Sequence, residues 1–298
     1  MMARHADPAL RERLLRDLPV ERRRIDVGGL STFVVEGGEG PPVVLLHGGI
    51  ESGGACWGPA IARLARTCRL VVPDVPGLGE SDPVARLDPA RIGEWLAELI
   101  GLTCRERPTL VAHSLLGGPV ARLVARRGDL VGRLVVVGAP AIGPYRMPPG
   151  LLATAIRFGA RPSDRNFRRF APWAFHDPGR TRDLDPGWYD AFFAYGASRG
   201  TVPHVKRTMR QVILAGKRRV PDEALRRIAI PTTLMWGRHD RFVPLGLAQG
   251  TSARLGWPLD VIEGSGHLPF VERLDPFMDA LEGASVPVDA STTQEEDR

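Results

Sequence analysis

The sequence predicts an α/β fold: a mostly parallel sheet flanked by helices, with a block of helices inserted before its last strands. Two observations carry this expectation. Short apolar runs at residues 42–46, 69–73 and 131–137 alternate with segments of helical spacing, and a strand without a polar face is one buried on both sides. The alternation then stops at about residue 144. Residues 148–217 show several helical patterns and no convincing strand, and the strand–helix rhythm resumes at about residue 222.

Taken in order, residues 5–24 read as a short charged helix with Leu10, Leu14, Leu15 and Leu18 on one side. Residues 24–27 and 30–35 flank Gly28-Gly29, a hairpin signal. The apolar run 42–46 leads into His47-Gly48-Gly49, and a helix is expected over 57–66. The strand at 69–73 ends in the turn-rich stretch 74–82. Asp88 is placed to cap a helix carrying Ile92, Trp95, Leu96 and Ile100. Residues 110–112 form a strand that stops short of Ser114, and a helix follows over 120–125. Helical spacing recurs at 151–158, 188–195 and 205–215. The later rhythm is helix 222–228, strand 232–236, helix 245–255, strand 259–262 and helix 270–281. The expected units are therefore a charged N-terminal extension at 1–23, a core at 24–143 and 221–283, a helical cap at 144–220 and a disordered acidic tail at 284–298. A cap in that place covers the sheet's C-terminal edge, where open α/β sheets bind ligands.

At 298 residues with 43% hydrophobic and 25% charged side chains, the chain can bury a large core. It has no apolar run of about 18 residues, so no membrane span is expected. The first residues mix arginines and acids, which does not suit a secretory signal. Cys56, Cys68 and Cys104 lack C-x-x-C spacing, so neither a disulfide framework nor a zinc site is expected, and a reducing cytoplasmic setting fits. The net charge of +6 is uneven. Residues 144–220 hold 15 Lys/Arg against 5 Asp/Glu, and the remainder holds 25 against 29. That balance suits either a solvated surface or attraction of an anionic or carrier-bound small-molecule substrate. No nucleic-acid motif accompanies it, so no nucleic-acid partner is expected. The oligomeric state is left open.

Three stretches carry chemistry. Ser114 sits between a strand and a helix among small residues, a setting that can hold a hydroxyl at the tip of a strained turn. Asp240 follows the strand at 232–236, and His267 lies in a glycine-flanked loop after the last strand. A serine hydroxyl needs a base within hydrogen-bond reach, and the imidazole needs a carboxylate to fix its tautomer. The developing oxyanion needs N–H donors, which Leu115 and Gly49 can supply. No cofactor or metal is implied.

The motifs HGG at 47–49, DVPGLGESD at 74–82, AHSLLGG at 112–118, WGRHDRFVP at 236–244 and GSGHLPFVE at 264–272 resemble those of the α/β-hydrolase superfamily over residues 24–283. The resemblance implies an eight-stranded, mostly parallel sheet with a helical cap and a triad in the chain order Ser114, Asp240, His267. One position departs from the usual G-x-S-x-G elbow. Leu116 stands where a small residue is usual, and Gly117-Gly118 lie one place late. His47, His113 and His239 read as structural, Asp74 and Ser81 as turn formers, and Glu51 as an exposed loop acid. The expected function is a serine esterase for a small, mainly apolar substrate. C–C hydrolysis of ring-cleavage dienoates and thioester hydrolysis are the alternatives, and a ligand-binding protein on a hydrolase scaffold is the non-enzyme one. Leu268 counts against the C–C reading, because those enzymes usually carry tryptophan directly after the histidine.

Overall fold

The computed structural model describes residues 8–283. Its strands are β1 (Glu21–Val27), β2 (Leu30–Gly37), β3 (Pro42–Leu46), β4 (Arg69–Pro73), β5 (Thr109–His113), β6 (Arg133–Val137), β7 (Thr232–Gly237) and β8 (Leu259–Ile262). They form one sheet in the order β1-β2-β4-β3-β5-β6-β7-β8. β1 and β2 pair antiparallel, as do β2 and β4, and every later pair is parallel. The expected mostly parallel eight-stranded architecture is therefore the observed one.

The apolar runs are the central strands. Val43 to Leu46, Leu110 to Ala112 and Leu134 to Val137 are all buried, as befits strands covered by the flanking helices. Register sets up the site. Leu46 pairs with Ala112, His113 with Val137, and Val137 with Met235. The C-terminal ends of β3, β5, β6 and β7 thus arrive together, and the loops that leave them share one edge. Beside that edge Trp57 stacks on Phe270 at 3.9 Å, joining the helix Gly53–Leu64 to the turn Pro269–Glu272.

The N-terminal reading needs correction. Among the described residues, the charged helix expected over 5–24 covers Pro8–Leu15, and β1 begins at Glu21. Pro19 cannot continue a helix, and the stretch after it has no apolar face to announce a strand. What holds it is the ladder to β2 and an Arg23–Glu36 ion pair at 2.7 Å. The tail expected at 284–298 and the first seven residues lie outside the described residues.

Between β6 and β7 the chain passes through the helices Pro149–Ala160, Asp164–Phe167, Ala171–Ala174, Pro178–Leu184, Pro186–Arg199 and Pro203–Lys217, without a strand. Four of these open on proline, whose fixed φ suits the first helical turn. Asp177 and Asp185 cap two of them by accepting the Arg180 and Trp188 N–H groups. An aromatic cluster built on Phe193, with Phe167, Phe175 and Tyr189 around it, packs this segment from within. Among the described residues no helix is long and apolar enough to cross a membrane.

Candidate active site

β5 ends at His113, and Ser114 turns the chain with φ 54°, the one non-glycine residue in the left-handed region among the described residues. Such a conformation costs on the order of 1 kcal/mol or more and persists only where the surroundings enforce it. A short 3-10 turn, Ser114–Leu116, leads into the helix Gly117–Val124. This turn accounts for the displaced glycines. Leu116 is fully buried, and the close approach falls at Gly117 and Gly118 instead, where a Cβ would overlap Ala139 and Ala141. Gly48 is needed for the same reason on the other side, because a Cβ there would meet Ser114 Cβ at 2.6 Å and Leu115 N at 2.8 Å.

The turn points Ser114 Oγ at His267 Nε2, 2.9 Å away, and His267 Nδ1 lies 2.8 Å from Asp240 Oδ2. The carboxylate accepts a hydrogen bond from Nδ1–H and so fixes the proton there, which leaves Nε2 with a lone pair facing the serine hydroxyl. Asp240 is itself fixed: its Oδ1 accepts the Val243 N–H at 2.8 Å. His267 is held on several sides. Its N–H donates to Ala174 O at 2.8 Å, its carbonyl takes a hydrogen bond from His113 Nε2 at 3.0 Å, and Phe242 stacks on its ring. Ser114 is 8% exposed and His267 4%, so the set is nearly sealed from water. The structure therefore brings together Ser114, Asp240 and His267, which lie far apart in sequence.

The other residues singled out fall around this line. Leu115 follows the serine directly, its N–H at the start of the 3-10 turn. Gly49 stands in the loop after β3, next to Gly48, which packs against Ser114. His47 accepts the Val75 N–H on Nε2 at 3.2 Å, and burial pushes its pKa down to about 4, so it is a neutral brace. Burial likewise pushes His113 well below the usual histidine range. His239 stacks on His176 at 3.8 Å on the far side of the loop. Asp74 and Ser81 do more than shape a turn. Asp74 accepts from Arg11, Gly53 and Glu80, while Ser81 links the Asp74 carbonyl to Phe33. Among the described residues no cluster of His, Cys, Asp and Glu is arranged to hold a metal.

Glu51 is not the exposed loop acid expected from its position. It is buried, and its carboxyl occupies the space that a Cβ on Gly49 would fill. Burial raises its pKa, opposed by hydrogen bonds from its own N–H, the Cys56 thiol and the Gly49 N–H and by the nearby His267. The sequence signal was available in part: only glycine at position 49 leaves room for that carboxyl. Glu272 was also missed. It accepts the N–H groups of Gly266 and His176, tying the histidine loop to the helical segment, and burial pushes its pKa up to about 7.

Comparison with known proteins gives consistent kinship. The chain matches the family described as "Alpha/beta hydrolase family" over residues 43–280. An uncharacterized protein of Mycobacterium tuberculosis is 29% identical over 271 residues, 82% of this chain and 75% of that protein. A 2-hydroxy-6-oxo-6-phenylhexa-2,4-dienoate hydrolase of Comamonas testosteroni is 26% identical, covering 85% of this chain and 92% of the relative. The solved structure of a hydrolase for the same dienoate from Rhodococcus sp. strain RHA1 superposes with a TM-score of 0.77 at 23% identity, over 90% of this chain and 99% of that one. Sheet order, the left-handed serine after β5 and the matched span agree, and the chain belongs to the alpha/beta hydrolase family.

Proposed function

We propose that the protein is a serine hydrolase that cleaves a carboxylic ester of a small, mainly apolar substrate through an acyl-enzyme. The observation that carries this reading is the unbroken line from Asp240 Oδ2 through both His267 nitrogens to Ser114 Oγ, at 2.8 and 2.9 Å. In this reading His267 Nε2 takes the hydroxyl proton as Ser114 attacks the acyl carbon. The imidazolium then passes that proton to the departing alcohol, and Asp240 balances its charge meanwhile. The oxyanion lies against the Leu115 N–H and, once the Glu51 carboxyl that occupies it gives way, the Gly49 N–H. Water, activated by the same imidazole, releases the acid and restores the serine. The helices over 144–220 act as a cap that keeps bulk water from the acyl-enzyme, and the Ala174–His267 hydrogen bond supports that placement.

The test is Ser114→Ala with a panel of p-nitrophenyl esters and a fluorophosphonate label. The variant should lose at least ~10³ of kcat and all labelling. Unchanged hydrolysis by the variant removes the assignment, and a wild-type chain that neither turns over esters nor takes the label is a binding protein.

One second reading has specific support. The dienoate hydrolase of Comamonas testosteroni aligns over most of this chain, and the same serine and histidine can serve C–C hydrolysis. Leu268, directly after His267, argues against it. Turnover of 2-hydroxy-6-oxo-6-phenylhexa-2,4-dienoate faster than of any ester would decide for the C–C reaction.

A further inference from the structure

Two large apolar side chains, Leu152 at 46% exposure and Ile156 at 62%, stand four residues apart on the helix Pro149–Ala160. Residues so spaced are neighbours on a helix face. Pro149, Ala153 and Ala160 are exposed as well, each three or four residues from one of that pair. The outer face is therefore apolar along the whole helix. The inner face is apolar too: Leu151 and Phe158 are buried, and Phe158 packs on Phe167 and Phe170. A helix apolar all round is ordinarily covered all round, yet this one is covered on one side. Single exposed apolar residues are common, but a contiguous stripe marks a surface that binds.

The charge around the stripe selects the partner. Residues 144–163 contain three arginines, Arg146, Arg157 and Arg161, and no acidic residue. All three are exposed, and none makes an ion pair among the described residues. Arg157 is four residues from Ala153 and three from Ala160, Arg161 directly follows the helix, and Arg146 precedes it by three residues. Cations thus stand at both ends of the stripe and along one flank. A surface that is negatively charged on top and apolar beneath answers both features, and an anionic bilayer is such a surface. A second copy of the chain answers only one, because a twofold contact would set the stripe against itself and bring the arginines of the two copies together. An acidic protein face answers the arginines and not the stripe.

We propose that the outer face of the helix Pro149–Ala160 docks the chain on an anionic lipid bilayer, with Leu152 and Ile156 entering the acyl boundary and Arg146, Arg157 and Arg161 meeting the headgroups. The docked helix is joined to the site from within. Phe158 meets Phe170 at 6.0 Å, Phe170 stacks on Phe242 at 6.2 Å, and Phe242 stacks on His267 at 4.6 Å. Tyr145, four residues before the helix, donates to the Phe242 carbonyl at 3.0 Å. Docking sets that side of the molecule toward the lipid, and it does not depend on the ester-hydrolase reading.

The test is co-sedimentation of the full chain with vesicles of phosphatidylcholine alone and of phosphatidylcholine with 30% phosphatidylglycerol. The anionic vesicles should bind at least ~10-fold more protein at low salt, and the excess should shrink as salt shortens the Debye length. Leu152→Ser with Ile156→Ser should lower partitioning by ~10–100-fold. Arg157→Gln and Arg161→Gln should each lower it by ~5-fold. Leu214→Ser, which removes the 73% exposed side chain of another helix, should leave it unchanged. Turnover of a soluble p-nitrophenyl ester and thermal unfolding check that each variant is folded. A wild-type chain that ignores anionic vesicles overturns the docking whatever its ester activity. Equal binding to both vesicle types overturns the role of the arginines, and a loss on arginine substitution alone overturns that of the stripe. A loss in Leu214→Ser as large as in the double variant overturns the assignment to this helix. A wild-type dimer in sedimentation velocity that the double variant dissolves overturns the bilayer in favour of a second copy. Vesicle binding by a chain that turns over no ester keeps the docking and removes the ester reading.

Discussion

Replacing Asp240 with asparagine keeps the shape of the site and moves one proton. Oδ1 of Asp240 accepts the Val243 N–H at 2.8 Å, so in Asp240→Asn that position must stay an oxygen. The new NH2 group then takes the place of Oδ2, 2.8 Å from His267 Nδ1. Two N–H donors cannot face each other, so the imidazole carries its proton on Nε2 and turns its lone pair to the asparagine. Nε2, 2.9 Å from Ser114 Oγ, becomes a donor and can no longer accept the hydroxyl proton. The expected loss is ~10⁴ in kcat, about 5 kcal/mol of barrier, as for the same change in other enzymes of this chemistry. The measurement is kcat for a short-chain p-nitrophenyl ester at neutral pH, with thermal unfolding as the check on the fold. A folded Asp240→Asn variant that keeps more than about a tenth of the activity would refute the tautomer argument, and another carboxylate would have to orient the imidazole.

Two further predictions concern the braces. His47 has its pKa lowered from 6.5 to about 4 by burial, so the folded chain binds that proton more weakly than the unfolded one. Its stabilising contribution is complete above pH 6.5 and is lost as the pH falls through about 4, a loss of about 3 kcal/mol. Urea unfolding across that range should show a shallower acid decline in His47→Gln, and parallel curves would remove His47 from the account. Gly48→Ala places a methyl against the His113 carbonyl, Ser114 Cβ and Leu115 N. It should cost ~1–3 kcal/mol of stability and ~10² of kcat, read from unfolding curves and ester turnover. Unaltered kcat would mean that the serine turn tolerates displacement.

The sequence displayed most of what glycine and periodicity can display. Apolar runs without a polar face named the buried strands, and the motifs around Ser114, Asp240 and His267 pointed to one sheet edge because each followed such a run. The first half of edge strand β1, residues 21–23, was hidden because its ladder is made by backbone, with arginines where an apolar face would have signalled it. Leu116 looked like a defect because spacing alone does not tell a 3-10 turn from a helix start. Glu51 and Arg199 were illegible for a shared reason. Their burial is created by segments distant in sequence, and a charged residue by itself reads as surface. Only the packed neighbours show that both are buried.

The stitching between the histidine loop and the segment after Phe170 has a mechanical consequence. His267 N–H bonds Ala174 O, Glu272 joins Gly266 to His176, and Gly266 leaves no room for a Cβ against that backbone. Residues 174–177 therefore travel with His267. If the helical roof lifts to admit a substrate, its pivots lie on either side of this seam, toward the helices Pro149–Ala160 and Pro203–Lys217. A chimera that exchanges the whole roof would import a foreign seam and disturb the imidazole. One that exchanges only those outer helices would leave His267 its anchor.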